Sequence, residues 1–279
     1  MIFERIQSSA ADLTPSEQKL VRELLSRPRD AALGTAGELA KRIGVHEATA
    51  SRLARKLGFD TYADFRDALR QEFIVKSDPA LRVRRTLDDA SDGSLLGELI
   101  AQEQDALARL PGFVTSEAID AAAAALVGAR KVFLFARGNA EVLSVLADRR
   151  LRRMGIDTVV LSGDARDLAE RLATMEREDA LLAFAFRRAP RHWRILLDHV
   201  GTVGATGVVL SDALGPSLVP RSDHLLFAPR SGSEEVFQTL TVPMAIVNAL
   251  ILQIARLDER RALERLERLG QLLTVFETG

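Results

Sequence analysis

The stretch LAKRIGVHEATASRLARKLGF, residues 39–59, decides the fold of the first part of this chain. Apolar residues recur at helical spacing on both sides of Gly44, and Gly58 follows the second run, as glycine often does just after a helix. Five basic side chains and one acid lie from Lys41 to Lys56, although the whole chain is almost neutral. The pattern predicts two short helices joined by a glycine turn, with positive charge gathered on the second.

The neighbouring residues also predict helices. In LTPSEQKLVRELLS, Thr14 is the expected N-cap and Glu17 follows three residues later, which is the pattern of a capping box. Helices are then predicted over Ala36–Ile43 and from about 46 to 57, and TYADFRDALRQEF predicts another that is capped by Thr61. The first part of the chain is therefore predicted to be all-α.

A short helix, a glycine turn and a second helix with an exposed basic face form the helix-turn-helix arrangement, whose second helix enters the major groove of DNA. Helical spacing divides the second helix into two faces. The inward face is predicted to comprise Ala50, Leu53, Ala54 and Leu57. The outward face is predicted to comprise Glu47, Ala48, Ser51, Arg52 and Arg55. A solvated basic face on an ordinary helical domain is the alternative.

The segment ELAKRIGVHEATASRLARKLGF followed by YADFRDAL resembles the amino-terminal DNA-binding domain of RpiR-type bacterial transcription regulators, over roughly the first 75 residues. The resemblance implies that Glu47, Ala48 and Arg52 approach bases. It also implies that Thr49 and Ser51 approach phosphates. Arg52 is the leading candidate for reading a base, because a guanidinium can bond to O6 and N7 of guanine together.

The other basic residues of this region are expected to touch backbone phosphates and to add affinity that depends on salt. They are Lys41, Arg42, Arg55 and Lys56. One departure from the family concerns His46, where a serine N-cap is usual. Histidine caps poorly, so the helix start is expected to lose about 1 kcal/mol unless the ring meets a phosphate. The predicted partner of this whole set is a double-stranded DNA operator.

The composition narrows the function classes. The 279 residues contain no cysteine, which excludes disulfides and thiolate metal sites, and their four scattered histidines predict no zinc site. The net charge is −1, so affinity for nucleic acid must come from a local patch. Neither a leader peptide nor a long apolar span is predicted, so the chain is expected to be cytoplasmic, with no membrane partner and no cofactor.

From Lys131 onward the pattern changes to short apolar runs. They are KVFLFA, DTVVLS, ALLAFAF, GVVLS and HLLFA, and each of the first four precedes a predicted helix. Such alternation predicts an α/β domain with a five-stranded parallel sheet between helices, a three-layer αβα sandwich. A charged segment over 76–93 is predicted as a linker, which divides the chain into a helix-turn-helix domain, 1–75, and a second domain, 94–279.

The second domain resembles the sugar isomerase (SIS) domain that follows the DNA-binding domain in the same regulators and binds phosphosugars at the carboxyl ends of its strands. With strand order 2-1-3-4-5, the crevice lies between the first and third strands. The family's first loop usually reads glycine-x-glycine-x-serine, but of Ala136–Ala140 only Gly138 is retained. The third strand usually ends in serines and a threonine, whereas residues 183–190 carry no hydroxyl. Ser211, after GVVL, keeps one.

Arginines stand in the crevice loops instead, at Arg137, Arg187, Arg188 and Arg191. A guanidinium can bind phosphate or carboxylate through two bonds without a network of hydroxyls. The chain is therefore expected to bind a small anionic metabolite, with a sugar phosphate or a related acid as the candidate. The predicted ligand-binding residues are Arg137, Gly138, Asn139, Arg187, Arg188 and Ser211. The alternative is that these arginines are solvated and that the domain only dimerises.

Phosphosugar isomerisation is the enzymatic alternative, and it requires a base near the substrate carbon. The available groups are Glu141, His192, Glu234 and Glu235. Each is explained more simply as a residue of a first helical turn, where acids are favoured, or as a surface histidine. Because the phosphate loops are eroded and a DNA-binding domain is attached, the chain is not expected to be an enzyme.

The size of a DNA site predicts an oligomer. One recognition helix reads only a few base pairs, so useful specificity requires two half-sites and at least two copies of the chain. A homodimer or homotetramer is therefore expected. The apolar helix predicted over 236–254 and the leucine-rich tail are its candidate interfaces, unless they only cover the sheet.

Overall fold

A computed structural model of the chain describes residues 2, 5, 6, 9, 12–26, 28–70, 79–89, 94–232 and 235–278. The chain divides into two compact units. The first comprises Met1–Leu95 with Ser233–Phe237, and the second comprises Leu96–Gly232 with Gln238–Gly279. The segment predicted as a linker contains a helix, Pro79–Asp89, and the three-part division of the chain stays a prediction.

The first unit is helical, as predicted. Its helices are α1 (Pro15–Ser26), α2 (Pro28–Leu33), α3 (Ala36–Ile43), α4 (Glu47–Lys56), α5 (Tyr62–Arg70) and α6 (Pro79–Asp89). At the start of α1, the backbone N–H of Thr14 donates to Glu17 over 2.8 Å, and the Thr14 hydroxyl accepts from the N–H of Glu17 over 3.4 Å. Thr61 and Asp64 exchange the same pair of bonds at α5. Both predicted caps are confirmed.

The core of the first unit lies where α1, α3, α4 and α5 meet. Its largest members are almost fully buried, and they include Leu20, Leu24, Leu39, Leu53, Phe65 and Leu69. Burial of about six such side chains, at roughly 1.5–3 kcal/mol each, is the main force that holds α4 against its neighbours. Helix α4 is thus fixed by the apolar face that the sequence predicted for it.

The second unit alternates strands and helices. Its helices are α7 (Leu95–Arg109), α8 (Ser116–Val127), α9 (Glu141–Arg153), α10 (Ala165–Leu172), α11 (Trp193–Val203), α12 (Thr241–Leu257) and α13 (Glu259–Thr278). Its strands are β1 (Val132–Phe135), β2 (Thr158–Val160), β3 (Ala180–Ala185), β4 (Thr206–Ser211) and β5 (His224–Phe227). Among the described helices, none is by itself long and apolar enough to cross a membrane. Two bent pairs, α7 with α8 and α12 with α13, reach that length and composition only when the two helices of the pair are counted together.

The five strands form one parallel sheet of order β2-β1-β3-β4-β5, which is the predicted order. Side chains alternate between its two faces. Leu134 and Leu182 belong to the core shared with α8, α9 and α12. Phe133 and Leu181 belong to the core shared with α10 and α11. The predicted three-layer sandwich is therefore confirmed.

A buried carboxylate joins β1 to β3 at their amino-terminal ends. Asp179 is 2% exposed and accepts bonds of 3.0 and 2.8 Å from the guanidinium of Arg130. It also accepts the backbone N–H of Lys131 over 3.1 Å and that of Glu176 over 2.8 Å. Both oxygens of this carboxylate are therefore hydrogen-bonded. The bonds hold β1 and β3 in register at their amino-terminal ends, and the crevice lies at the other ends of the same two strands.

Two sequence predictions about the second unit were wrong. The apolar helix predicted over 236–254 begins at Thr241. Pro243 explains the late start, because proline has no N–H and is tolerated only in the first turn of a helix. The strand GVVLS is followed by a 3₁₀ turn, Gly215–Ser217, instead of an α-helix. A glycine followed by a proline disfavours a longer helix there.

Candidate functional site

The two helices of the predicted helix-turn-helix lie on either side of Gly44. Its φ of 70° is left-handed, and its backbone N–H closes α3 by donating to the carbonyls of Ala40 and Lys41. A side chain would be strained in this conformation, so glycine is required for so short a turn. The inward residues of α4 are buried, namely Ala50, Leu53, Ala54 and Leu57. The outward residues Glu47, Ala48, Arg52 and Arg55 are exposed, and Ser51 is half-buried.

His46 caps α4, which corrects the expectation that this position would be a weak start. Its backbone is extended, and its Nδ1 accepts the backbone N–H of Ala48 over 3.2 Å. This bond requires Nδ1 to be without a proton, so the neutral ring carries its hydrogen on Nε2. The imidazole therefore does what the serine of the family does, and it retains one N–H that can donate to a partner.

Arg52 is held by its own helix. Its terminal Nη2 donates to the hydroxyl of Thr49 over 3.4 Å, and Thr49 itself is only 7% exposed. Thr49 was predicted to approach a phosphate, and its burial favours a different role, the orientation of the Arg52 side chain one turn away. Its contact with phosphate stays a prediction.

Two of the basic side chains predicted to touch phosphate are paired with acids of α1. The ammonium of Lys56 lies 2.8 Å from Glu17 and donates to the carbonyl of Asp12 over 2.6 Å. The guanidinium of Arg42 lies 3.5 Å from Glu23. These pairs attach α4 and α3 to α1, so Lys56 and Arg42 serve the fold whatever else they contact.

Lys41 and Arg55 are exposed, and no ion pair joins either to an acid in the part of the chain that is described. Together with Arg52 they give the outward side of the motif its positive charge. Glu47 packs toward α3, because a Cβ added at Gly37 would lie 3.3 Å from its Oε2. The predicted DNA-binding residues therefore lie on α3 and on α4 with its N-cap, and Lys41, Arg52 and Arg55 are the cations among them that no described acid pairs.

The crevice of the second unit lies beyond the carboxyl ends of β1 and β3, which are adjacent in the sheet. In the loop after β1, Gly138 has a φ of 64° and donates its N–H to the carboxylate of Glu141 over 3.1 Å. Arg137 lies over the ring of Phe135 and donates to the carbonyls of Leu161 and Gly163 over 3.1 and 3.3 Å. Arg137 thus ties the first loop to the segment after β2, and its contact with a ligand stays a prediction.

The loop after β3 has an unusual backbone. Arg187 and His192 both have positive φ, 66° and 68°, which residues with a Cβ seldom adopt. The carboxylate of Asp212, at the end of β4, accepts the N–H of Arg187 over 3.1 and 3.0 Å and thereby fixes the turn. Arg187 and Arg188 are exposed. Ser211 is fully buried, and its hydroxyl donates to the carbonyl of Ala185 over 2.5 Å. Because the side chain is not exposed, its burial does not support the predicted contact with a ligand.

Sequence reasoning missed two charged residues at the same edge of the sheet. Glu103 on α7 is 7% exposed. Arg230, three residues after β5, lies with its guanidinium 5.1 Å from the ring centre of Phe186. The sequence signal for Arg230 was its place a few residues after an apolar run predicted as a strand. Glu103 gave no signal, because an acid on an amphipathic helix is normally exposed.

Of the four groups considered as catalytic bases, two have structural partners, one lies outside the described residues, and His192 is half-buried in the loop before α11. Glu141 caps the loop at Gly138, and Glu235 pairs with Arg85 of α6. Glu234 lies outside the described residues. Among the residues that the structure does describe, no group of three His, Cys, Asp or Glu could hold a metal ion.

Comparisons with known proteins agree with both parts of this description. Residues 1–76 match the model of the helix-turn-helix domain of the rpiR family. An uncharacterized HTH-type transcriptional regulator of Haemophilus influenzae is 26% identical over 230 residues, which cover 81% of this chain and 78% of that protein. The bifunctional protein glk of Paraburkholderia xenovorans is 25% identical over 80% of this chain, which spans only 35% of that protein's length.

Solved structures show the fold of the second unit. The sugar isomerase domain of an RpiR transcription factor from Sphaerobacter thermophilus is 24% identical, with a TM-score of 0.59, and covers 64% of this chain and 99% of its own. The Vibrio vulnificus NanR protein complexed with ManNAc-6P is 14% identical, with a TM-score of 0.56, and covers 99% of both chains.

The chain therefore consists of a helix-turn-helix domain and a domain with the sugar isomerase fold, which together define a class of DNA-binding transcription regulators. Residues 1–76 carry the helix-turn-helix domain of the rpiR family, which confirms the resemblance inferred from the sequence.

Proposed function

We propose that this regulator reads an operator through the outward face of α4, and that a small anionic metabolite bound in the second domain alters the reading. One observation carries the first half of the proposal. Arg52 is exposed on a helix whose opposite face is buried and whose start is capped, and its guanidinium is oriented by Thr49. A fixed arginine on such a helix can bond to a guanine edge in the major groove.

The second half of the proposal concerns the metabolite. Arg187 and Arg188 are exposed in the loop after β3, and Arg230 follows β5 with its guanidinium near Phe186. Guanidinium groups suit a phosphate or a carboxylate. NanR, which shares the fold, was solved with a phosphosugar. We therefore take a sugar phosphate or a related acid as the class of effector. For the effector to act, it must bind one arrangement of the protein better than another.

The domain is proposed to bind this metabolite without converting it. The loops after β1 and β3 lack the hydroxyls that hold a phosphate in the SIS family, and Glu141 is engaged at Gly138. An assay of aldose–ketose interconversion on a panel of sugar phosphates is expected to show no turnover above background. Measurable turnover that is lost on substitution of Glu141 would contradict this and favour the isomerase.

Arg52→Ala tests the reading of DNA. Duplexes selected from a random library by the unsubstituted protein would be compared with scrambled duplexes by fluorescence anisotropy. The substitution is expected to reduce the preference for the selected sequence by roughly 1–3 kcal/mol, about 5- to 150-fold, because one bidentate base contact is lost. Binding to scrambled duplex that weakens with salt should remain.

Lys19→Ala is the matched control. Lys19 is an exposed cation on α1, so its loss removes the same charge from the same domain without changing α4. The control is expected to keep the preference of the unsubstituted protein. An Arg52→Ala protein with an unchanged preference would remove Arg52 from the reading of bases.

A further inference from the structure

Glu103 has one satisfied and one unsatisfied oxygen. Its Oε1 accepts the hydroxyls of Ser231 and Thr239 over 2.6 and 2.5 Å. Its Oε2 is buried and has no hydrogen-bond partner among the described residues. A buried carboxylate oxygen without a partner is costly, because it has lost its water and gained nothing in return.

Arg230 presents the complementary case. Its Nε donates to the side-chain carbonyl of Gln238 over 3.0 Å, and its guanidinium lies against the ring of Phe186. These contacts fix the group in place, yet its Nη1 is buried and has no acceptor within the described part of the chain. Burial is the largest cause that lowers the pKa of the Arg230 guanidinium, and the positive charge of Arg187 lowers it further. The carboxylates of Asp212 and Glu103 act in the opposite direction and raise it.

The two groups do not satisfy each other. No ion pair within 4.0 Å joins Arg230 to Glu103 in the described residues, although each lies within the electrostatic field of the other. A buried donor and a buried acceptor of opposite charge are thus held apart by their own separate partners. Proteins normally remove such groups or pair them, and those that remain are concentrated at functional sites.

The two unsatisfied atoms specify the chemistry of the ligand groups that would pair with them. Nη1 requires an oxygen acceptor, and a charged guanidinium favours an anionic one. Oε2 requires a donor, which a hydroxyl supplies. Neither atom was part of the arginine clamp predicted from the sequence.

We propose that Glu103 Oε2 and Arg230 Nη1 form the part of the ligand site that selects a hydroxylated acid: an anionic oxygen of the ligand accepts from Arg230, and a hydroxyl of the same ligand donates to Glu103. This inference rests on the proposed function of the second domain and names the ligand class. A ligand without the hydroxyl leaves Oε2 unpaired, and one without the anionic group leaves Nη1 unpaired, so both are rejected.

Thermal shift and calorimetry on the full chain, without DNA, test the proposal with four probes. Glucose 6-phosphate and gluconate combine hydroxyls with a phosphate and with a carboxylate, respectively. Inorganic phosphate lacks the sugar hydroxyls, and glucose lacks the charge. At least one of the first two is expected to raise the melting temperature, and which of them does so distinguishes phosphate from carboxylate. An equal response to inorganic phosphate or to glucose, or no response to any probe, overturns the proposal.

Glu103→Gln and Arg230→Lys are the informative variants. Each is expected to weaken the binding of the responding probe about tenfold or more, because one bond to a charged group is lost. Glu103→Gln keeps an oxygen for Ser231 and Thr239 and removes a buried charge, so its unliganded melting temperature should be unchanged or higher. A lower unliganded melting temperature with unchanged affinity would assign Glu103 to the fold alone and overturn the proposal.

Glu170→Gln and Arg166→Lys are the matched controls. These residues form an exposed pair on α10, and their substitution is expected to leave probe binding unchanged. Arg52→Ala separates this inference from the proposed function, because it should keep the full response to the probe. If the unsubstituted protein binds no DNA but shows a Glu103-dependent response, the proposed DNA binding alone is rejected. If it binds DNA but responds to no probe, the proposed ligand class alone is rejected.

Discussion

At the scale of single residues, this protein shows side chains that take over roles usually played by other types. His46 occupies an N-cap position that favours serine, threonine or aspartate, and its ring nitrogen accepts the bond that a hydroxyl would accept. The sequence predicts that Arg137 is a cation that binds a ligand in the crevice, but in the structure its guanidinium donates to backbone carbonyls after β2. In both cases the residue type indicated that the side chain makes a polar contact at that position, but it did not indicate which group the side chain contacts.

His46→Ala tests the cap. Removal of the ring leaves the N–H of Ala48 without its acceptor, so the first turn of α4 is expected to be less stable by about 1 kcal/mol. Hydrogen–deuterium exchange of the α4 amides should rise in the alanine variant. It should stay near the original level in His46→Ser, which restores a capping oxygen. Equal exchange in the alanine variant and the unsubstituted protein would show that the ring does not cap the helix.

At the scale of elements, the attachment of α4 to α1 depends on one buried acid. Glu17 is 5% exposed and is bonded both to the N-cap residue Thr14 and to the ammonium of Lys56. Burial acts to raise the pKa of Glu17, but the bonds from Lys56 and Thr14 outweigh it and hold the pKa below its ordinary value. The ionised form is therefore the one that stabilises the contact between α1 and α4.

The sign of this shift predicts a pH dependence. A carboxyl whose pKa is lowered in the folded state adds stability above its ordinary pKa and loses it as the pH falls through the lowered value. Glu17→Gln is expected to destabilise the first domain at neutral pH by about 1–3 kcal/mol, because the bonds to a charged group are weakened. Denaturant unfolding followed over acidic to neutral pH should show the two proteins converging in acid. A constant difference at all pH values would contradict the role of the charge.

Most elements could be predicted from the sequence, for identifiable physical reasons. Capping pairs such as Thr14 with Glu17 mark helix starts by local chemistry, and unbroken apolar runs mark strands that are buried on both faces. The late start of α12 could also have been seen, because Pro243 fits only a first turn. The site was harder, since the pairing of Glu103 with Ser231 and Thr239 joins residues that are far apart in the chain.

At the scale of the whole molecule, the proposed operator reading requires more than one copy. The tail helix α13 exposes apolar side chains that one copy of the chain leaves to solvent, and they include Leu263, Leu266, Leu272, Leu273, Val275 and Phe276. Such an apolar face suits the contact between copies that binding to two half-sites would require.

Sedimentation at micromolar concentration checks this expectation. The full chain should sediment as a dimer or a tetramer, and Leu273→Glu with Phe276→Glu should shift it toward the monomer, because a charge buried in an apolar interface is unfavourable. The exposed Leu33→Glu, on α2, serves as the control and should leave the assembly unchanged. A monomer at every concentration would refute the requirement for two half-sites in one particle.

The central claim is that a small cationic face on a helix-turn-helix, set in a neutral chain, binds duplex DNA. Titration of the full chain with a labelled duplex over a range of salt concentrations tests it most directly. Lys41 and Arg55 from two copies would make about four phosphate contacts, so the logarithm of the binding constant should fall with that of the salt concentration with a slope of about −3.6 or steeper. A protein that binds no duplex even in dilute salt, with or without a hydroxylated acid, would contradict the account.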